Sequence, residues 1–447
     1  MVHSFPEILQ RLERGKALIL TSQEVCELVD RGDKATLEEV DVVTTATRAI
    51  MSGTYAVLSF PVAGPRTFLR AKRVWINGVE ASVGPCPNEN LGVVDLVVFG
   101  TAHSRDREDY GGGHLFREMV EGKPALVEVE TDHGKNLQAD VGLKEMPFAR
   151  LIGSRHAFKN YSAFVNPGNK PVSTIFHARQ FEPNCQGATF SGCGQINPVK
   201  NDPLLETIGM GTRILLNGAE GFVTGTGTRS SKERPNLSGF ADMHFMDPEY
   251  MGGFVTSAGP ECICSWAVPI PVTSKIILQE IARRDRDICL PVVDVNTRAA
   301  IGQADYGDVW DGVDLEVEFD PGRCTGCTRC LVEMACPMRA VRLEGSSTVR
   351  NDELCFHCGL CVTQCPSGVF RCFLGSIRLQ TADCNANGRV NGNVNGSANS
   401  SANSSANCIP IVLRQSDKLR ALKLAQDLKK RMLDGSFKMC QPVENIS

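Results

Sequence analysis

The sequence predicts an α+β, mixed α/β fold in which one large domain is interrupted by a small cysteine-rich unit. Three observations predict it. Short β-branched and apolar runs recur from residue 42 onwards, separated by Gly-, Asn- and Pro-rich turns. Eight of the 19 cysteines fall between Cys324 and Cys365 in two nearly identical blocks. Beyond a polar low-complexity tract, a strand and an amphipathic helix begin at Ile409, and a helix with an apolar face must pack somewhere, so the tail is expected to return to the large domain. The expected units are residues 1–315, the inserted cysteine-rich unit 316–380, a disordered linker 385–407 and the returning tail 409–440.

Residues 5–32 read as amphipathic helices, with Thr21-Ser22-Gln23-Glu24 as an N-cap before Val25, Leu28 and Val29. The runs Val42 to Thr45, Val74 to Ile76, Val93 to Phe99, Ala125 to Val129 and Ile214 to Leu216 read as strands. Asn77-Gly78 between two of these favours a tight hairpin. Residues 385–407 hold only Asn, Ala, Gly, Ser, Val, Arg and Cys-free polar repeats, which bury no core. Ser416 or Asp417 caps a helix carrying Leu419, Leu422, Leu424, Leu428 and Met432.

The cysteine blocks read Cys324-x2-Cys327-x2-Cys330…Cys336-Pro337 and Cys355-x2-Cys358-x2-Cys361…Cys365-Pro366. Thiolates at this spacing bend around one cubane, and the fourth cysteine of each block reaches the other cluster. One [4Fe-4S] cluster is therefore expected on Cys324, Cys327, Cys330 and Cys365, and a second on Cys355, Cys358, Cys361 and Cys336. Zinc knuckles are the alternative, but a C-x2-C-x2-C triplet followed by Cys-Pro is not their pattern. The unit resembles bacterial-type two-[4Fe-4S] ferredoxins, with five residues instead of three before Cys336. Reduced clusters and many thiols imply a reducing, cytoplasmic setting. A formal net charge of −4 without a basic cluster, and no apolar run approaching 18 residues, point away from nucleic acid and membrane partners.

Other residues carry candidate chemistry. Tyr110-Gly111-Gly112-Gly113-His114 puts three backbone amides beside an imidazole, as an anion site or as a turn that only glycine fills. Gly209-Met210-Gly211-Thr212-Arg213 and Gly225-Thr226-Gly227-Thr228-Arg229 each add a hydroxyl and a guanidinium for an anionic substrate. Cys193, between Gly192 and Gly194, offers an exposed thiolate or turn packing. Cys262 and Cys264 point to one face if extended, into a cavity or into core. Cys26 and Cys289 read as buried small hydrophobes.

Glu39 to Thr45, Val74 to Val79, Tyr110 to His114, Asn201-Asp202-Pro203, Thr207 to Arg213 and Val268 to Pro271 together resemble the archaeal homocysteine-biosynthesis family, the aspartate-semialdehyde sulfurtransferases. The fused cysteine-rich unit resembles its methanogenesis marker metalloprotein branch. Where that family carries two cysteines, this chain reads Ala49-Ile50-Met51-Ser52-Gly53 and Thr131-Asp132-His133. The resemblance implies conversion of a small aldehyde and a sulfur donor to a thiol, drawing on a low-potential electron donor, with sulfoacetaldehyde going to coenzyme M. His133 and His114 are then the candidate proton donors, Arg213 and Arg229 the anion ligands, and Cys193 or Cys262 the sulfur carriers. Homocysteine formation, or an electron carrier or assembly factor whose large domain only docks a partner, are the alternatives.

Overall fold

The computed structural model describes residues 3–84, 86, 90–379 and 408–446. The expected linker at 385–407 lies outside the described residues. The architecture is mixed α/β, dominated by sheets with comparatively few helices.

A 14-stranded sheet forms the body. Near one end of it the strand Val42–Ile50 runs antiparallel to the long strand Gly259–Pro271, with Ala49 opposite Cys264 and Thr45 opposite Val268. Val42–Ile50 is buried along almost its whole length, which its unbroken run of apolar and small hydroxyl residues allows. The short strand Ile19–Thr21 pairs parallel to it. Thr21 then caps the helix Ser22–Arg31: its hydroxyl accepts from the Glu24 amide at 3.1 Å, and its own amide donates to the Glu24 carboxylate at 2.6 Å. Asn77 and Gly78 turn strand Ala71–Ile76 into Val79–Val83 with φ of 49° and 75°, the left-handed pair that a two-residue hairpin needs.

A second, six-stranded sheet runs in the order Ala300–Asp305, Cys289–Asp294, Ala163–Val165, Ala188–Phe190, Cys408–Arg414, Ser376–Arg378. The tail therefore re-enters the body between Ala188–Phe190, a strand of much earlier sequence, and Ser376–Arg378, the strand that precedes it. The following helix, Lys418–Leu433, takes Asp417 as N-cap and buries Ala421, Leu424, Ala425, Leu428 and Met432 against Val42, Ala46, Leu215 and Ala267 of the first sheet. Leu419 and Leu422 are only half-buried. Arg48 and Asp417, both fully buried, form an ion pair at 2.8 Å that ties the helix to the strand Val42–Ile50.

Between the two sheets' strands, residues 317–372 form a small unit of two short helices, Leu331–Ala335 and Leu360–Gln364, a hairpin Val341–Glu344 with Ser347–Arg350, and the strand pair Glu318–Phe319 with Phe370–Arg371. Val317, Val332, Val341, Val369 and Phe370 fill its centre. Strand Ser376–Arg378, which the sequence boundary assigned to this unit, belongs instead to the six-stranded sheet through its pairing with Cys408–Arg414.

Candidate functional site

Where the strand Val42–Ile50 ends and the chain turns through Met51, Ser52 and Gly53 into strand Thr54–Pro61, a cavity of about 110 Å³ opens. Thr47 and Ala49 to Gly53 form one wall, and Arg155, Phe158, Asn160 and Tyr161 another. Ile175, Phe176, Ser191, Gly192, Asn197 and Gln415 close it. Gly53 is required by close approach, since a Cβ there would meet the Arg155 Cβ at 2.8 Å. The loop at 191–194 is pinned: the Tyr306 hydroxyl donates to the Ser191 carbonyl at 2.7 Å, the Trp310 indole to the Gly192 carbonyl at 3.1 Å, and the Gly192 amide donates to Ser416 Oγ at 2.7 Å. Asn160 exchanges two hydrogen bonds with the Gly194 backbone, at 3.1 and 3.0 Å.

Arg155 is the only charged side chain among the described residues lining this cavity. It forms no ion pair among them, its Nε is buried without a partner, and its guanidinium lies 5.0 Å from the Phe158 ring centre. Behind the wall, Ser52 hydrogen-bonds the carboxyl group of Glu261, whose other oxygen is buried and unpaired. Burial holds that carboxyl above the usual range, keeping a proton on it at higher pH than a surface glutamate would. Ser52 lies in the stretch Ala49 to Gly53, where the resembled family carries a cysteine, whereas neither Arg155 nor Glu261 was singled out from the sequence, because no local motif marks them.

The sequence-derived candidates fall elsewhere. The three glycine amides are already used: Gly112 donates to the Ala102 carbonyl and Gly113 to that of Gly100, both at 2.9 Å, and Gly111 donates to His114 Nδ1 at 3.3 Å. Side chains at Gly111 and Gly113 would meet neighbouring carbonyls at 2.6 and 2.8 Å, so packing, and not an anion, requires these glycines. His114 stacks on Tyr110 and is held to a pKa of about 3 by burial, so it does not titrate near neutral pH. His133 is 71% exposed on the turn between strands Ala125–Thr131 and Asn136–Val141, outside the cavity. Arg213 is ion-paired with Glu220 and lies over the Phe437 ring, and Arg229 falls beyond the end of strand Ala219–Thr226; neither lines the cavity.

Cys193 is fully buried beneath the cavity wall, with Thr47 Oγ1 donating to its sulfur at 3.6 Å, and burial pushes its thiol up. Of the two readings that its glycine-flanked turn allowed, an exposed thiolate or packing, packing is the one that forms. Cys262 and Cys264 do share a face, but it is the core face under the first sheet. The hydrogen bond with Cys264 and burial push Cys262 well up. Cys26 is buried, whereas Cys289 is exposed on its strand, contrary to expectation.

The eight cysteines of the small unit line two separate cavities. One is walled by Cys324, Cys327, Cys330 and Cys365, the other by Cys336, Cys355, Cys358 and Cys361. Each therefore takes three sulfurs from one block and the fourth from the other. Burial raises Cys355 to about 11 and pushes Cys336, Cys358 and Cys361 up as well, with repulsion among neighbouring thiols adding to it. Among the described residues no three potential ligands converge on a single metal ion, and no helix is long and apolar enough to cross a membrane.

A family profile described as a homocysteine biosynthesis enzyme, sulfur-incorporation, matches residues 17–439. An uncharacterized protein of Methanothermobacter thermautotrophicus is 44% identical over 434 residues, 97% of this chain and 94% of that one. Another of Methanocaldococcus jannaschii is 38% identical over 423 residues, 94% of this chain and 98% of its own length. The L-aspartate semialdehyde sulfurtransferase of Methanosarcina acetivorans is 30% identical over 335 residues, 71% of this chain and 65% of that protein. No solved structure matches. With the profile spanning both the sheet that carries the cavity and the unit that carries the paired cysteine sets, the chain belongs to the homocysteine biosynthesis, sulfur-incorporation family.

Proposed function

We propose that the chain catalyses reductive incorporation of sulfur into a small anionic aldehyde, with the cavity at Ala49 to Gly53 as the reaction site. One observation carries this reading: the chain holds both a cavity whose one charged lining side chain among the described residues, Arg155, has no ion pair, and two four-cysteine sets in the crossed pattern that two clusters require. Aldehyde, hydrogen sulfide, two electrons and two protons give a thiol and water. A [4Fe-4S] cluster on each cysteine set would supply these electrons one at a time. The donor set fits the group: four cysteines line each cavity, three from one block and the fourth from the other.

The chain's own residues supply the rest. Arg155 holds the substrate's anionic end and so fixes which end of the aldehyde faces Ser52. Glu261, through Ser52, holds a proton for the departing carbonyl oxygen. Sulfide is used directly, since no cysteine lines the cavity among the described residues. The lining also offers no carboxylate to an ammonium group, which favours sulfoacetaldehyde, giving coenzyme M, over aspartate semialdehyde, giving homocysteine. The name of the Methanosarcina relative favours the second substrate.

Anaerobic protein supplied with sulfide and a low-potential reductant should form thiol from sulfoacetaldehyde with a higher kcat/KM than from aspartate semialdehyde. Arg155→Ala should raise KM about 10- to 100-fold, as loss of a charge-assisted bond of ~1.5–3 kcal/mol implies, and Glu261→Gln should lower kcat. Preference for aspartate semialdehyde would leave homocysteine formation as the reaction. Unchanged kinetics in both variants would remove the cavity from it.

A further inference from the structure

The two cysteine sets differ in their surroundings, and the difference has a direction. Residues 325–329, which lead through Cys327, are exposed along their length, and Leu331 beside Cys330 is 47% exposed. Residues 356–360, which lead through Cys358, are buried along theirs. The first set thus faces solvent, and the second faces the body of the protein.

The second set is also joined to the cavity by short links. The Cys358 carbonyl accepts from the Arg414 amide at 2.9 Å, and the next residue, Gln415, lines the cavity. Phe356, fully buried, lies 4.9 Å under the Arg48 guanidinium, and Arg48 sits between the lining residues Thr47 and Ala49. Ile50, another lining residue, packs into the apolar cluster that holds Phe356 and Cys358. From the first set, whose cavity is lined by Leu343, Thr348 and Val369 of the small unit, the link to the body is a solvent-exposed one, Arg179 Nη1 donating to the lining residue Gln364 at 3.0 Å.

We infer that electrons enter at the Cys324, Cys327, Cys330, Cys365 site, cross to the Cys336, Cys355, Cys358, Cys361 site, and leave for the cavity through the Arg414–Gln415 segment and the Arg48–Phe356 stack. The inference rests on the cluster reading above. Each site carries one electron, so the two together hold the pair that reduces one aldehyde and sulfide to one thiol, and the protons come from solvent and Glu261. A protein electron donor docks at the exposed residues 325–329, where the chain around Cys327 is open to solvent.

The test follows the clusters' own electron paramagnetic resonance signals in full-length, anaerobically prepared protein. Cys327→Ser and Cys336→Ser each disturb one site. Once reduced with dithionite, Cys336→Ser should pass its electron to cytochrome c, a protein-sized oxidant, at the wild-type rate, yet hold its signal against aldehyde plus sulfide. Cys327→Ser should do the reverse. Phe356→Leu, which keeps both ligand sets, should leave both signals and cytochrome c exchange unchanged and slow reoxidation by aldehyde plus sulfide at least tenfold. The opposite behaviour of the two cysteine variants, or unslowed reoxidation in Phe356→Leu, would overturn the assigned direction or its relay. Wild-type protein without iron would sink the cluster reading itself, a separate result.

Discussion

At the scale of single residues, the deep interior holds groups whose protonation is decided by packing. His156 is fully buried: the Trp266 indole donates to its Nδ1 at 2.9 Å, so the ring proton sits on Nε2 and goes to Thr54 Oγ1 at 2.8 Å. Thr54 in turn donates to the Met51 carbonyl at 2.6 Å, so this neutral tautomer supports the cavity wall. Burial holds His156, like His114, to a pKa of about 3. Both folded values lie below the unfolded value near 6.5, so the folded state binds fewer protons and its stability is present above pH 6.5 and lost as pH falls towards 3. Each histidine should contribute a slope of about 1.4 kcal/mol per pH unit in that window. Urea midpoints measured from pH 7.5 to 5 should fall accordingly, and less steeply in His114→Gln; a flat wild-type profile would show that these rings accept protons in place.

At the scale of elements, the helix Lys418–Leu433 does two jobs. Its apolar stripe covers the strands Val42–Ile50 and Gly259–Pro271, and Asp417 at its cap neutralises Arg48 inside the protein. Leu428→Ala should cost about 2–5 kcal/mol by the cavity it leaves. Asp417→Ala should cost about 3–5 kcal/mol, since it strands a buried guanidinium and removes the cap acceptor for the Arg420 amide at 3.1 Å. Denaturant unfolding of both variants checks this; an Asp417→Ala protein as stable as wild type would mean that Arg48 finds water or another partner. The caps and hairpins here were legible in advance, because Thr21 with Glu24, Asn77 with Gly78 and Asp417 act on neighbours within a few residues. The partners of the elements were not.

At the scale of the whole molecule, strands Ser376–Arg378 and Cys408–Arg414 are antiparallel, with Arg378 directly opposite Cys408. Residues 379–407 can therefore be replaced by a two-residue Asn-Gly turn that matches hairpin twist. That variant should keep its melting temperature, and a lower one would give the tract a structural role. What the sequence by itself determined is whatever depends on short spacing: the strand runs and turns, the helix caps, and the division of eight cysteines into two blocks. Tertiary structure alone decided which thiols are exposed, that Gly111 to Gly113 serve packing, and that Arg155, Ser52 and Gln415 meet at one cavity. The reason is physical: that cavity draws on five segments far apart in the chain, and burial, which sets the state of Cys193, His114 and Glu261, is produced by long-range packing that no local pattern encodes.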